Sequence, residues 1–355
     1  MSVGRGVGLA LVAACATACG SSADGGPDAG FVGGDLDAQL VDSASPAAPR
    51  GVLLFGGASG DSVLGDTWSW DGESWVGELV TPRPDSRSHG ALAYDVVGGR
   101  AVLFGGFDGE QPLDDTWQWD GQRWEALATV DGPVARAHHA LAYDDELDAV
   151  VLFGGSREGQ GAGDEVLGDS WLLLGDVWER GASGDEPPPR AGHAMAFDEA
   201  TGELVLFGGE GAVGQDLGDT WVRTAQGWVE APVSAFASPG ARRGHALAYD
   251  PTTARVLLFG GAANEQLLDD TWVWDGASRE WTELAIADAP APREGHALVY
   301  DPTTARVLLF GGVGGGGQPL GQTFAWDGRG WEPLAGEGAR GPARAGHALT
   351  RWPSP

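Results

Sequence analysis

Small and large apolar residues alternate along His245–Asp250 (HALAYD), and the run ends in Asp250-Pro251-Thr252-Thr253, where proline presets φ for a turn. This pattern predicts a strand entering a hairpin. Arg255–Phe259 (RVLLF) is apolar and too short for a helix, and Gly260-Gly261 closes it, which predicts a second strand buried on both faces. Eight loop residues lead to Asp270–Asp275 (DTWVWD), whose tryptophans alternate with smaller residues as on a third strand. After the turn Gly276–Arg279, Trp281–Leu284 (WTEL) supplies a fourth. The unit is four antiparallel strands with no crossover helix.

The unit recurs. Gly-Gly pairs close the second strand at Gly56-Gly57, Gly105-Gly106, Gly154-Gly155, Gly208-Gly209, Gly260-Gly261 and Gly311-Gly312, which makes six copies with a period near 50 residues. A four-stranded repeat of that length is a propeller blade. R-x-G-H, VLLFGG, D-T-W-x-W-D and a closing Trp resemble the kelch motif, most nearly that of the galactose oxidase central domain, over residues 51 to 352. The predicted fold is therefore all-β, a six-bladed kelch-type β-propeller. The first unit opens on a second strand, Gly51–Gly57, and the chain ends on an unpaired first strand, Arg344–Thr350. Pairing the two in one blade closes the ring and removes its open edges.

Aromatic residues follow the repeat. Of the 16 Trp, all but Trp352 stand at repeat positions; Tyr94, Tyr143, Tyr249 and Tyr300 share one position, with Phe197 standing in another blade. His89, His139, His193, His245, His296 and His347 are read as one repeat position, with His138 as a neighbour. These side chains are expected to be structural. Departures from the repeat are the longer third-blade loop between Gly155 and Asp169, the strand Trp171-Leu172-Leu173-Leu174, Trp221-Val222-Arg223, and Gln322-Thr323-Phe324. The Leu triplet is expected to add blade packing, with a partner patch as the alternative.

Residues 1–18 carry one cation, Arg5, and then an apolar run, the form of a secretory leader. Ala16-Thr17-Ala18-Cys19 resembles a bacterial lipobox, which implies lipidation of Cys19; Val12-Ala13-Ala14-Cys15 is a second match with a shorter apolar core, and a leader with incidental cysteines is a third reading. Residues 19–50 are rich in Gly, Ala, Asp, Ser and Pro and cannot bury a core, so they are expected to form a disordered acidic tether. The propeller is assigned to 51–355. It contains no cysteine, which excludes disulfides, thiolate metal sites and a cysteine nucleophile there.

The net charge of −30, with every one of the 21 cationic residues an Arg, argues against nucleic acid as a ligand. The Lys-free, Gly-, Ala- and Arg-rich usage resembles that of a high-GC bacterial genome. Galactose oxidase activity is not expected, because the body lacks the cysteine its crosslinked tyrosine requires, and no cofactor or metal is expected. The repeat Asp66, Asp115, Asp169, Asp219 and Asp270 are read as turn or inter-blade hydrogen-bonding residues rather than calcium ligands. Glycines 314–317 lack the Lys and helix of a phosphate loop.

The kelch resemblance implies that the connection into each first strand lies at a channel mouth. It makes Arg136, Arg190, Arg242, Arg293 and Arg344 a candidate ligand-binding mouth, with Ser86 at that register in the second blade and Arg87 beside it. The alternative is that each pairs with a repeat acid between blades. The expected protein is a monomeric, exported, noncatalytic binding or scaffold module, lipid-anchored at a bacterial envelope and directed to a protein or glycan. The rival is an envelope enzyme acting on glycans or cell-wall material. An irregular cluster of carboxylates at one mouth favours the rival; purely repeat-equivalent residues there favour the binder.

Overall fold

The computed structural model describes residues 51–157, 165–181, 184, 186–232, 238–336 and 338–352. The leader, Cys19 and the tether lie outside the described residues. The chain divides into Met1–Gln39 and Leu40–Pro355, and everything described belongs to the second unit. No helix among the described residues is long and apolar enough to cross a membrane.

Six four-stranded antiparallel sheets form the blades of a propeller. In the fifth blade the strands are Ala246–Asp250, Arg255–Phe259, Thr271–Asp275 and Glu280–Leu284, running from the axis outward. The second strand is the most buried of the four: Val256, Leu257, Leu258 and Phe259 are all at most 1 % exposed. It ends in a bulge-like turn that glycine alone accommodates, since Gly260 and Gly261 have φ of 62° and 97°. A Cβ on Gly261 would also stand 2.7 Å from the Arg243 carbonyl oxygen.

Neighbouring blades are joined by one repeated contact. The fourth-strand Trp of each blade packs on the second-strand Phe of the blade before it, as in Phe207–Trp281 with ring centroids 5.3 Å apart. Its indole N–H donates to the hydroxyl of that blade's third-strand Thr or Ser. Trp75 reaches Thr323, Trp124 Thr67, Trp178 Thr116, Trp228 Ser170, Trp281 Thr220 and Trp331 Thr271, all at 2.9–3.1 Å. Each ring thus buries a large apolar area while its polar handle stays satisfied, the combination that lets tryptophan serve as an inter-blade wedge.

The ring closes as expected. The strand Ala348–Arg351 pairs with Val52–Ser59 in the first blade, from Phe55 opposite Ala348 to Val52 opposite Arg351. The third-blade Leu triplet is divided by the pleat. Leu173 is 2 % exposed in the core and Leu174 is 38 % exposed.

Candidate functional site

The repeat arginines are built into the blades. Arg136, Arg190, Arg242, Arg293 and Arg344 are 0–2 % exposed, as is Arg87. In Arg136, Arg190, Arg242 and Arg344 both Nη atoms grip the third-strand Asp of the same blade (Asp169, Asp219, Asp270, Asp66) at 2.6–3.0 Å. Nη1 also donates to the first glycine carbonyl of the Gly-Gly pair, and Nε to the carbonyl two residues earlier, as Arg190 does to Gly208 and Pro188. The same Asp accepts the indole N–H of the Trp two residues on, at 2.6–2.7 Å. Burial pushes these carboxyls up, but the arginine fork and the indole outweigh it and hold them below the ordinary value. The main chain of each arginine is bonded to the preceding blade, as Gly209 N–H donates to the Arg242 carbonyl and Arg242 N–H to that of Leu217, so each fork ties one blade to the next, and four of the five N–H donors of the fork are committed.

Arg293 is the exception. Its blade carries Gln322 where the others carry Asp, with Oε1 3.5 Å from Nη2, and the guanidinium lies over the Phe324 ring at 5.2 Å. Burial lowers its pKa to about 10.

The second blade corrects the register. Arg87, not Ser86, is the repeat arginine, gripping Asp115 at 2.5 and 2.8 Å. His89 is then the equivalent of His138, and Gly90 occupies the repeat histidine position. A constant spacing carries the signal: the glycine carbonyl that accepts from Nη1 lies 18 residues beyond the arginine in the second to sixth blades. The five true repeat histidines are 5–6 % exposed, each set edge-on against the preceding blade's Phe. Burial depresses all five imidazoles, His139, His296 and His347 to about 3.

Two residues after each repeat arginine the chain reaches the axis. There His89, His138, Gly192, Gly244, Gly295 and Gly346 form a closed ring of backbone hydrogen bonds. Each N–H donates to the carbonyl of the same position in the preceding blade, at 2.6–2.9 Å. Every member has positive φ, 53° and 57° at the histidines and 60–64° at the glycines. Glycine adopts this at no steric cost; a residue with a Cβ is destabilised by roughly 1–2 kcal/mol. Two blades therefore hold a histidine in an unfavourable conformation, and their rings stack with centroids 3.9 Å apart at 27°.

Above this ring the mouth opens into a cavity of about 380 Å³. Of the positions before the ring residues, Ala191, Arg243, Glu294 and Ala345 line it; the alanines are small, but Arg243 and Glu294 are charged, and Ser88 and Ala137 are buried. Sixfold symmetry is thus broken twice, by imidazoles in blades two and three and by charges in the diametrically opposite blades five and six. Arg243 is held by Asp216 at 2.7 Å and Glu210 at 3.3 Å, and Asp216 also accepts the Asn264 N–H at 2.9 Å. Glu294 has no ion pair within 4 Å among the described residues. Burial raises its pKa, Asp216 adds to the rise, and Arg243 opposes it. Burial likewise pushes His89 well below its ordinary value, reinforced by His138 and His347. Among the described residues no group of three or more His, Cys, Asp or Glu is placed to hold a metal ion.

The opposite mouth is bridged. Tyr94, Tyr143, Phe197, Tyr249 and Tyr300 line it, and the register of the closing strand puts Arg351 at the sixth such position. Arg351 Nη1 reaches Glu199 Oε1, from blade one to the facing blade four, at 2.9 Å. Trp352 packs edge-on against Tyr94, with centroids 5.3 Å apart.

Sequence comparison agrees with this architecture. A family model described as the KLHDC2/KLHL20/DRC7 Kelch-repeats domain matches residues 175–352. The tRNA wybutosine-synthesizing protein 4 of Emericella nidulans is 30% identical over 160 residues, 42% of this chain and 15% of that protein. Adagio-like protein 3 of Oryza sativa subsp. japonica is 32% identical over 158 residues, 41% of this chain and 24% of the relative. The flagellar outer-arm dynein alpha chain of Chlamydomonas reinhardtii is 32% identical over 170 residues, 44% of this chain and 4% of the relative. The matched segment is therefore a minor part of each of these relatives.

Proposed function

This chain belongs to the kelch-repeat family, and on that premise we propose that it is a noncatalytic binding module whose ligand seat is the mouth above the His89–Gly346 ring. One observation carries the reading. The repeat arginines other than Arg293 and the repeat aspartates are consumed in holding the blades together, whereas the residues that break the repeat, His89, His138, Arg243 and Glu294, converge on a single cavity of about 380 Å³. Residues that depart from a fold's repeat without serving its packing are where function is expected to sit. The partner is a protein or glycan. The module stands on the acidic tether, anchored through lipidated Cys19 at a bacterial envelope.

A catalytic reading has one observation in its favour: two carboxylates at irregular positions, Glu210 and Glu294, line the mouth with Asp216 behind Arg243, and a carboxyl with a raised pKa suits a general acid. Arg243 occupies both other carboxylates, however, so neither is available as base or nucleophile. Binding is the stronger conclusion.

Capture from envelope extract by the full-length chain tests the seat. Ala191→Trp, which fills the mouth, is expected to abolish capture of a partner that Arg351→Gln, at the opposite mouth, still captures, with both variants folded. Equal capture by both variants would remove the seat. Release of activity on cell-wall glycan by the wild type but not by Glu294→Gln would restore the enzyme. For the anchor, Cys19→Ser is expected to lose detergent partitioning; unchanged partitioning with Cys15 also replaced would end the lipoprotein proposal.

A further inference from the structure

The charge and shape of the mouth narrow what it accepts. On one side stand two stacked imidazoles, and a Cβ placed on Gly346 would lie 2.6 Å from His89 Nε2, so the His89 ring leans inward over the ring of glycines. On the facing side a Cβ on Gly244 would lie 3.2 Å from Glu294 Oε2, so that carboxylate leans inward as well. Between them is space for roughly a dozen waters at about 30 Å³ each, enough for one long side chain and too little for a folded element.

Among the described residues Arg243 is the one cation that lines this space, and its charge is already met by Asp216 and Glu210. Glu294 is left as a half-buried carboxylate without an ion pair among the described residues, so the wall is net negative. An anionic group would meet Glu294 with no free cation among the described residues to offset it. A neutral glycan would find the imidazole faces but leave the carboxylate desolvated and unneutralised. A single positive charge on an apolar stem answers both sides, with the carboxylate taking the head and the stacked rings the stem. The chain's net charge of −30 favours approach of such a group.

Resting on the reading that this mouth is the ligand seat, we propose that it receives one basic side chain, the guanidinium or ammonium of an exposed loop on a partner protein, with Glu294 as counter-ion and the His89–His138 pair as the wall against its stem. Arg243 acts as a positioning residue, pinning the loops that carry Glu210 and Asp216 so that, among the described residues, Glu294 is the acid left to the ligand.

The test uses the full-length chain and three probes: acetyl-Gly-Arg-Gly-amide, its citrulline counterpart, which keeps the shape and loses the charge, and chitotriose as a neutral glycan. Calorimetry reads affinity, and the imidazole resonances of His89 and His138 report the location. The arginine peptide is expected to bind and shift both rings. The citrulline peptide, and the arginine peptide on Glu294→Gln, are expected to bind at least about tenfold more weakly, the loss carried by one charge-assisted hydrogen bond. Equal binding of the citrulline peptide, tighter binding of chitotriose, undiminished binding to Glu294→Gln, or no binding of the arginine peptide would each overturn the assignment of a basic side chain. The seat itself is judged separately, by the Ala191→Trp comparison, so the two readings fail independently.

Discussion

Arg344 and Asp66 are separated by 278 residues and joined by two hydrogen bonds of 2.8 Å, which makes the last repeat arginine a partner of the first repeat aspartate. The same arginine donates to the Gly56 carbonyl, and Ala345 bridges Ala58. Ring closure is thus side chain, turn and strand together. Deleting residues 344–355 removes all three and exposes the edge of Val52–Ser59, so the truncated chain is expected to aggregate or lose its cooperative transition. A monomeric product with an unchanged melting temperature would contradict this closure.

The sixth blade lacks the carboxylate its arginine needs. Because burial puts the folded pKa of Arg293, about 10, below its unfolded value, its charge opposes folding at every pH below that value. Gln322→Asp recreates the fork of the other blades and is expected to stabilise the protein by about 1–2 kcal/mol. Arg190→Lys, which breaks an existing fork to Asp219, is expected to cost about 2 kcal/mol. Chemical denaturation of the two variants checks both signs; a destabilised Gln322→Asp would show that the fork is not the source of the gain.

Acid should weaken the fold well before its carboxylates titrate. The repeat histidines have folded pKa values depressed by burial, three of them to about 3, so as pH falls below 6.5 the unfolded chain takes up protons that the folded chain does not. The paired aspartates, held low by their arginines, add a second loss only below their ordinary value of 3.8. Asp144, Asp198 and Glu294, raised by burial, act in the opposite sense. The melting temperature is expected to fall steadily from pH 6.5 downward. A flat profile from neutrality to pH 4 would mean that the imidazoles are not held neutral.

The inter-blade hydrogen bond is open to an isosteric test. Thr271→Val keeps the volume but leaves the Trp331 indole N–H, 3.1 Å from the hydroxyl, buried without an acceptor. A loss of about 1–3 kcal/mol is expected, smaller in a Trp331→Phe background where no donor remains. Equal losses in both backgrounds would assign the cost to packing instead.

The bridge across the opposite mouth should be weak. With Arg351 and Glu199 side chains 37% and 39% exposed, a double-mutant cycle on Arg351→Gln and Glu199→Gln is expected to give a coupling below about 1 kcal/mol that declines with salt. A salt-insensitive coupling well above that would show the pair to be shielded from solvent.

Periodicity made most of the architecture legible. The strand type, blade number and shared first blade follow from the spacing of Gly-Gly pairs, Trp and the two orphan half-units, because repeat spacing and local hydrogen-bonding needs are written in one dimension. The histidine is a poor guide to the register of the second blade, since it puts Ser86 and His89 at the repeat positions, whereas the arginine-to-glycine spacing is constant and puts Arg87 and Gly90 there. Which carboxylate each arginine takes was not legible either. Asp169 is equally repetitive whether it takes the arginine that enters its blade or the one that leaves it, and only the path of the Arg136 guanidinium over the second strand decides. The mouth is the clearest case. Arg243 and Glu294 read as ordinary residues in R-x-G-H, His89 as a repeat histidine and His138 as a neighbour of one. Their opposition across one cavity arises from the angular placement of blades two and three against five and six, a relation between residues some 100 to 200 positions apart that exists only once the ring has closed.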